Sequence, residues 1–253
     1  MNKKVIESFK GPVVIGGVGG SGTRVAAEIL KELGYYLGPL NKSNDNIQFA
    51  KLFGNPEWFI KSDKTNKKAI FKQLKMFQSG MVKKLKPHQS NYLGWGWKNP
   101  ATHLYMAYLA KTYPSMKYIH VIRNGLEMAY SRNQNQLLKW GSLFQIKRKK
   151  EADPRTCLQY WYRANKRAIR VGKELLGHNF YLLNFNQLCS NPKVELDRLI
   201  KFLELDSKTI NQDLLTKIVI PPVSLKRYKK HDLGIFKEED LELVRKLGFE
   251  IGC

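Results

Sequence analysis

The stretch of sequence with the clearest capacity for chemistry is a glycine-rich turn, Gly16-Gly-Val-Gly-Gly-Ser-Gly-Thr-Arg24. It follows a β-branched run, Pro12–Gly16, and precedes a helical pattern over Val25–Leu33, so backbone N–H groups and a helix dipole would face an anion there. Closely spaced glycines let a backbone close around phosphate or sulfate oxygens. The groups that would surround such an anion are Gly19, Gly20, Ser21, Gly22, Thr23 and Arg24. A tight turn that only packs a helix on a strand is the alternative interpretation.

Two familiar anion-binding patterns fit this turn incompletely. Gly17–Gly22 matches G-x-G-x-x-G, the dinucleotide pattern, which also needs a second strand ending in an acid. Asp45 has about the right spacing, but the residues before it are not strand-like. The P-loop of NTPases needs G-x-x-x-x-G-K-[ST], and the chain has no Gly-Lys-Ser/Thr. The clearest strand, Lys117–Arg123, ends in an arginine, which suits a bare phosphate better than a metal.

A third pattern accounts for both the turn and this strand. Gly20-Ser-Gly-Thr-Arg24 resembles the loop with which sulfotransferases hold the 5′-phosphosulfate of 3′-phosphoadenosine 5′-phosphosulfate (PAPS). The second signature of that family is a strand that ends in Arg, followed eight residues later by a helical Ser, and Arg123 and Ser131 have this spacing. Two signatures in the right order are more specific than either alone.

The resemblance implies an enzyme that transfers a sulfuryl group from PAPS to a hydroxyl or amine and releases adenosine 3′,5′-bisphosphate. Arg227 lies in Ser224–Lys229, which looks like the late basic loop that closes over the 3′-phosphate in the family. A solvated basic loop is the equal alternative for that segment. The implied cofactor-binding residues are Gly19, Gly20, Ser21, Gly22, Thr23, Arg24, Arg123, Ser131 and Arg227, with no metal.

Three residues are candidates for catalysis. Lys98 stands in Trp97-Lys-Asn-Pro100, which looks like the Lys-x-Pro element of the family. The chain departs from the family at Gly20, where relatives carry Lys or Arg, and Arg24 or Lys98 could supply the missing charge. Asp45 is the candidate general base, with a turn-forming role as the alternative. His103 is the rival base, although a helix-capping or core histidine is favoured at that position.

The order of elements predicts an α/β fold: a three-layer α/β/α arrangement with a central parallel sheet and a P-loop-like strand-turn-helix. Strands are predicted at Pro12–Gly16, Tyr92–Trp97, Lys117–Arg123 and Phe180–Leu183. Helices are predicted at 25–33, 125–140, 153–175, 191–202 and 237–247, and residues 41–90 are predicted to be loop with one or two surface helices. We expect one domain over 1–253.

The composition indicates an anionic partner but does not indicate which one. The chain has 253 residues, a formal charge of +23 and 43% hydrophobic residues, so it is globular and attracts anions. Its apolar runs are too short for a transmembrane segment, and Cys157, Cys189 and Cys253 form no disulfide or zinc pattern, so a cytoplasmic protein is expected. The alternative functions are a basic nucleic-acid-binding protein and a P-loop or dinucleotide-binding enzyme, although no nucleic acid is expected as partner.

The acceptor is left open between several chemistries. Nine lysines and a single acid, Asp63, in residues 61–86 indicate a solvated face or a surface that attracts an acidic glycan or anionic lipid. Five aromatic residues could form a wall against which a sugar or a flat ring stacks, or could simply pack in the core: Trp58, Trp95, Trp97, Tyr105 and Trp140. The number of subunits is not indicated by the sequence.

Overall fold

The computed structural model describes residues 10–147 and 152–252. Its centre is a parallel sheet of five strands in the order β2-β3-β1-β4-β5. The strands are β1 (Lys10–Gly17), β2 (Tyr35–Tyr36), β3 (Gly94–Lys98), β4 (Lys117–Ile122) and β5 (Phe180–Asn184). In a parallel sheet of this kind the strands end at a common edge, where ligands bind. Lys98 is the last residue of a strand that ends at that edge, and the glycine-rich turn and Arg123 lie at the ends of two neighbouring strands.

The helices, in chain order, fill the intervals between the strands. They are α1 (Thr23–Glu32), α2 (Ile47–Phe53), α3 (Pro56–Thr65), α4 (Lys67–Leu85), α5 (Met106–Thr112), α6 (Gly125–Ala129), α7 (Asn135–Trp140), α8 (Pro154–Leu176), α9 (Phe185–Ser190), α10 (Pro192–Phe202), α11 (Gln212–Ile218) and α12 (Glu238–Arg245).

Two hydrophobic cores lie on the two faces of the sheet. Successive residues of a strand point to opposite faces, so Val13 and Ile15 pack with α1, α10 and α11, whereas Val14 packs on the other side. That second core contains residues of α4, α5 and α8 and the buried side chains of Trp95 and Trp97. Helices therefore cover both faces, and the predicted three-layer α/β/α fold is confirmed.

Residues 41–90 contain more helix than the sequence pattern predicted. Three helices, α2, α3 and α4, occupy a region expected to hold one or two. Each begins after an asparagine whose side chain accepts a hydrogen bond from a backbone N–H of the first turn, at Asn46, Asn55 and Asn66. Helix α4 is not only a surface helix, because it buries a stripe of Ile70, Leu74, Phe77, Met81 and Leu85. The nine lysines of residues 61–86 are exposed, as expected of a solvated face.

The helix predicted over 125–140 is divided in two. Helix α6 ends at Ala129 and α7 begins at Asn135. The Gln134 side-chain amide donates hydrogen bonds to the backbone oxygens of Met128 and Ser131, at 2.9 and 2.8 Å, and so stabilises the turn between them. Ser131 consequently lies in this turn and not in a helix, which corrects the prediction of a helical serine.

The remaining predicted elements agree closely with the observed ones. The long helix α8 begins at Pro154, and Asp153 accepts a hydrogen bond from the Thr156 N–H at 2.8 Å, which is the predicted cap. The two-residue strand β2 was not predicted, because so short a segment has no periodicity. Within the described ranges no helix is both long and apolar enough to cross a bilayer. Cys253 lies outside the described residues, and the single domain over 1–253 stays a prediction.

Candidate active site

The glycine-rich turn joins β1 to α1, and two of its glycines have backbone angles that favour glycine. Gly20 has φ +94° and Gly22 has φ +100°. A Cβ atom on Gly22 would lie 2.2 Å from the Phe185 ring, so only glycine fits there. A Cβ atom on Gly20 would lie 3.5 Å from the nearest atom, Met128 Cε. The backbone angle, and not crowding, therefore opposes a lysine or arginine at Gly20.

The turn presents polar groups that the protein itself does not use. Helix α1 has no acidic residue in its first turn, and Gly22 provides no side-chain cap for the helix N–H groups. Ser21 and Thr23 are 1% and 4% exposed. The Ser21 Oγ atom is buried without a hydrogen-bond partner among the described residues. Buried polar groups without partners are costly, so this arrangement is suited to an anion.

Lys98, the last residue of β3, forms a partly buried ion pair with Asp45. Its Nζ atom lies 2.6 Å from Asp45 Oδ1 and donates a second hydrogen bond to the Ser43 backbone oxygen at 2.8 Å. Burial lowers the pKa of Lys98, the charge and hydrogen bond of Asp45 oppose this, and the nearby charge of Arg24 lowers it further. The structure thus brings together two of the three predicted catalytic residues.

Asp45 is held in place by a turn that another residue makes. Asn41 Oδ1 accepts hydrogen bonds from the backbone N–H groups of Ser43 and Asp45, at 2.8 and 2.9 Å. The predicted alternative role of Asp45 as the turn-forming residue is therefore taken by Asn41. The Asp45 side chain is 23% exposed, which leaves its carboxylate accessible.

Arg123, which follows β4, is fixed by a second and more deeply buried ion pair. Its Nε atom lies 2.5 Å from Glu127 Oε2, and its Nη2 atom donates to the Ser224 backbone oxygen at 2.7 Å. Glu127 Oε1 also accepts from the Asn186 side chain at 2.8 Å and from the Lys226 N–H at 2.9 Å. Glu127 therefore ties the late basic loop to the end of β4.

Ser131 and Arg227 lie next to these groups. Ser131 Oγ would be 3.7 Å from a Cβ on Gly20, so the serine is adjacent to the turn. Arg227 Nε donates to the Ser224 oxygen at 3.2 Å, the same oxygen that Arg123 contacts. Burial and the charge of Arg123 lower the pKa of Arg227, and Glu127 opposes this shift. The two arginines are therefore close neighbours.

A cavity of about 280 Å³, here called the turn cavity, lies between these elements. Its predicted site residues are Gly19, Gly20, Gly22, Thr23, Arg24, Asp45, Lys98 and Arg123. Ser21, Ser131 and Arg227 are not part of this lining but contact or adjoin residues that are. Two signatures far apart in the sequence thus meet around one cavity.

His103 does not join the site. It is completely buried, its ring packs beside His120 and Phe144, and it does not line the turn cavity. Burial lowers the pKa of His103 well below its usual range, and the charges of His120 and Arg167 lower it further. This placement favours the interpretation as a core histidine over that as a general base.

Several residues of the site were not singled out from the sequence. Glu127 follows Arg123 by four residues, a spacing that brings side chains together where a helix begins. Phe185 packs against Gly22, and the Arg123 guanidinium lies over the Phe185 ring. Gln136 Oε1 accepts a hydrogen bond from the Gly19 N–H at 3.1 Å, and no local pattern indicates this contact across 117 residues.

Comparison with known proteins agrees with this geometry. A model of the sulfotransferase family matches residues 12–209, and the chain belongs to that family. No curated protein sequence matches the chain significantly. The family match ends before Arg227, so it does not extend to the late basic loop.

Solved structures with the same fold include three bacterial sulfotransferases of low sequence identity. The sulfotransferase domain of the curacin biosynthetic pathway has 13% identity and a TM-score of 0.56, covering 96% of this chain and 99% of that one. The domain of the Synechococcus PCC 7002 olefin synthase has 12% identity and a TM-score of 0.54, covering 96% and 97%. STF9 of Mycobacterium avium has 11% identity and a TM-score of 0.59, covering 98% and 79%.

Proposed function

We propose that the protein is a PAPS-dependent sulfotransferase that acts on a hydroxyl or amine acceptor. The observation that carries the proposal is that Arg123 and the glycine-rich turn line one cavity, with the Lys98–Asp45 pair at its wall. Family membership supports sulfuryl transfer, and Arg24, Lys98 and Arg123 in the cavity lining support a donor nucleotide with two anionic groups.

In this proposal the phosphosulfate of PAPS would lie at one side of the turn cavity and its 3′-phosphate at the other. The orphaned Ser21 hydroxyl, the Thr23 hydroxyl and the uncapped N–H groups of α1 would hold the 5′-phosphosulfate. Arg123, with Arg227 beside it, would hold the 3′-phosphate, because a guanidinium pairs well with phosphate oxygens. Ser131, which adjoins Gly20, would add a hydroxyl to the same site.

Two side chains would act on the reacting atoms. When bound, PAPS supplies the sulfuryl group that is transferred. Lys98 would provide positive charge beside the leaving phosphate, a task that Gly20 cannot perform. Asp45 would accept the proton of the acceptor on Oδ2, whose hydrogen bond from the Asn41 side chain is long at 3.4 Å.

Thermal unfolding in the presence of candidate ligands tests the donor assignment. We expect adenosine 3′,5′-bisphosphate at a hundredfold excess over its Kd to stabilise the protein by about 2.7 kcal/mol, and ATP with Mg²⁺, NAD and an oligonucleotide to have much smaller effects. A larger shift with ATP and Mg²⁺, or with the oligonucleotide at low salt only, would refute the proposal.

A matched pair of variants locates the binding site. Thr23→Val removes a hydroxyl from the turn cavity at nearly constant volume and should weaken the stabilisation by the bisphosphate. Thr65→Val removes a hydroxyl that donates only to the Lys61 oxygen within α3, at 2.8 Å, and should leave that stabilisation unchanged. Equal responses of the two variants would place the ligand elsewhere.

A further inference from the structure

One side chain of α7, that of Gln136, contacts the backbone of the glycine-rich turn at two points. Its Oε1 atom accepts a hydrogen bond from the Gly19 N–H at 3.1 Å, and its Nε2 atom donates to the Gly17 backbone oxygen at 3.4 Å. Gly17 is the last residue of β1, and Gly19 lies in the turn that follows. The amide therefore bridges the place where the strand ends and the turn begins.

An amide is the side chain that this pair of backbone groups requires. Its oxygen accepts and its NH₂ group donates, so Gln136 satisfies Gly19 and Gly17 at the same time. An ionised carboxylate could serve only the Gly19 N–H, and its second oxygen would face the Gly17 oxygen. A methionine of similar length offers at most a weak acceptor. The residue type at position 136 is thus matched to the backbone it contacts.

The backbone N–H groups of the turn divide into those that the protein uses and those that it leaves open. Gly19 donates to Gln136, and Ser21 donates to the Val18 oxygen at 3.1 Å. Within the described part of the chain, four other N–H groups have no acceptor: those of Gly20, Gly22, Thr23 and Arg24. Backbone donors without partners are rare in folded proteins, so these four are available to an anion.

Gly19 lies at the boundary between two cavities. It lines the turn cavity and also a second cavity of about 280 Å³, here called the middle cavity. Gln136 lines the middle cavity but not the turn cavity, whereas Gly20, Gly22 and Thr23 line the turn cavity. Because Gln136 occupies the Gly19 N–H from the side of the middle cavity, an anion bound by the turn meets the open donors on the other side.

The helix that carries Gln136 is well anchored. Leu137 and Trp140 of α7 are buried, and the helix follows the turn that Gln134 stabilises. A side chain on a packed helix holds its partner more precisely than one on a loop. Gln136 can therefore fix a glycine segment that by itself would adopt many conformations.

We propose that Gln136 is a positioning residue for the donor, which holds Gly17 and Gly19 so that the open N–H groups of the turn face the 5′-phosphosulfate of PAPS. The inference rests on the proposed sulfotransferase function. In this role Gln136 acts through the turn and does not contact the reacting atoms. Without it, part of the binding free energy of the donor would be lost in ordering the turn.

The test compares two ligands that differ only at the 5′ position. Under the proposed function adenosine 3′,5′-bisphosphate contacts both the turn and Arg123, whereas adenosine 3′-monophosphate contacts Arg123 without the turn. The Kd of the monophosphate divided by that of the bisphosphate, measured by calorimetry on the full chain, reports the contribution of the turn. Gln136→Met should lower this ratio about two- to tenfold, the range for one net hydrogen bond. An unchanged ratio overturns the proposal.

Gln73 of α4 provides a matched structural control. Its side-chain amide donates to the Leu52 backbone oxygen of α2, and neither residue lines the turn cavity. Gln73→Met therefore also removes a hydrogen bond between an amide and the backbone of another element, and should leave the ratio unchanged. A ratio that falls equally in Gln73→Met and Gln136→Met would indicate a general loss of order and refute the positioning role.

Gln136→Glu tests the donation to Gly17 through pH. At pH 8 the carboxylate is ionised, donates nothing and repels the 5′-phosphate. As the pH falls to 5, towards the ordinary glutamate pKa of about 4.3, a growing fraction carries an O–H donor. The Kd of the bisphosphate, relative to that of the unmodified chain at the same pH, should therefore decrease from pH 8 to pH 5. A constant relative Kd contradicts the need for a donor at this position.

Failure of this proposal is separable from failure of the proposed function. If adenosine 3′,5′-bisphosphate binds the unmodified chain and the ratio is the same in Gln136→Met, only the role of Gln136 is refuted and the donor assignment stands. If the bisphosphate does not bind the unmodified chain, the sulfotransferase proposal itself fails, and the role of Gln136 fails with it.

Discussion

The two ion pairs at the carboxyl edge of the sheet differ in how far they are closed off from the cavity. In the pair at the end of β3, Lys98 is 3% exposed but Asp45 is 23% exposed. In the pair at the end of β4, Arg123 and Glu127 are 4% and 1% exposed. The first pair therefore keeps an accessible carboxylate, whereas the second hides its carboxylate completely.

This difference separates two tasks. A carboxylate that takes a proton from a substrate must be reachable, as Asp45 is. A carboxylate that only fixes the direction of a guanidinium is better buried, because the full set of hydrogen bonds to Glu127 then holds Arg123 in one orientation. Under the proposed function, the pair at the end of β3 would act in chemistry and the pair after β4 in recognition.

The largest effect, on stability, is expected at the closed pair, Arg123 and Glu127. Arg123→Met leaves Glu127 buried without its cation and should destabilise the protein by about 3–5 kcal/mol in chemical unfolding. Arg123→Met combined with Glu127→Gln should regain much of this stability, because no lone charge is left. Binding of adenosine 3′,5′-bisphosphate, measured by calorimetry, should stay weak in the double variant. Binding close to that of the unmodified chain would show that Arg123 is structural only.

Substitutions in the open pair, Lys98 and Asp45, should lower turnover more than ligand binding. Lys98→Ala is expected to lower kcat by about 10²–10³-fold, the range for loss of one preorganised charge or donor at a transition state. The Kd of adenosine 3′,5′-bisphosphate should change far less. Steady-state kinetics and calorimetry measure the two quantities, and equal losses in both would remove the distinction between the pairs.

The buried His120, which belongs to neither ion pair, should make the stability of the protein depend on pH. Burial lowers the pKa of His120 to about 4, although its hydrogen bond to Asn165 opposes the shift. The unfolded chain binds a proton near pH 6.5 and the folded chain does not, so stability is full above pH 6.5 and decreases as the pH falls towards 4. The loss from this residue is about 3 kcal/mol over that interval.

Chemical unfolding at several pH values checks this origin. His120→Gln should flatten the pH dependence between pH 6.5 and 4, whatever its effect on stability at neutral pH. His103, whose pKa is lowered by burial, acts in the same direction and accounts for part of the remaining slope. An unchanged slope in His120→Gln would show that His120 is not the cause of the acid sensitivity.

The smallest effect on ligand binding is expected at Arg227, which lies next to Arg123 of the closed pair. Arg227 is only partly buried, and a charge in that setting contributes about 0.2–1 kcal/mol, so Arg227→Ala should weaken bisphosphate binding by about two- to fivefold. Lys230→Ala, an exposed cation of the same loop, serves as the control and should have no effect. An effect of Arg227→Ala as large as that of Arg123→Met would show that the late loop, and not β4, dominates recognition.

Much of the fold followed from local patterns. The strand-turn-helix around Gly16–Arg24 and the long helix α8 have strong local signals in glycine spacing, capping and periodicity. The helices of residues 41–90 were underestimated because lysines dominate their composition and mask the apolar stripe of α4. The single helix predicted over 125–140 is divided because Gln134 and Ser131 stabilise a turn that propensity does not reveal.

The sequence by itself determined the glycine-rich turn and the arginine that follows β4, because both depend on residue types at short spacings along one strand and its connection. Only the tertiary structure decided that Asp45 meets Lys98, that Glu127 orients Arg123, and that His103 is enclosed in the core. These relations join residues far apart in the chain or on different elements, and packing between elements, not local spacing, fixes them.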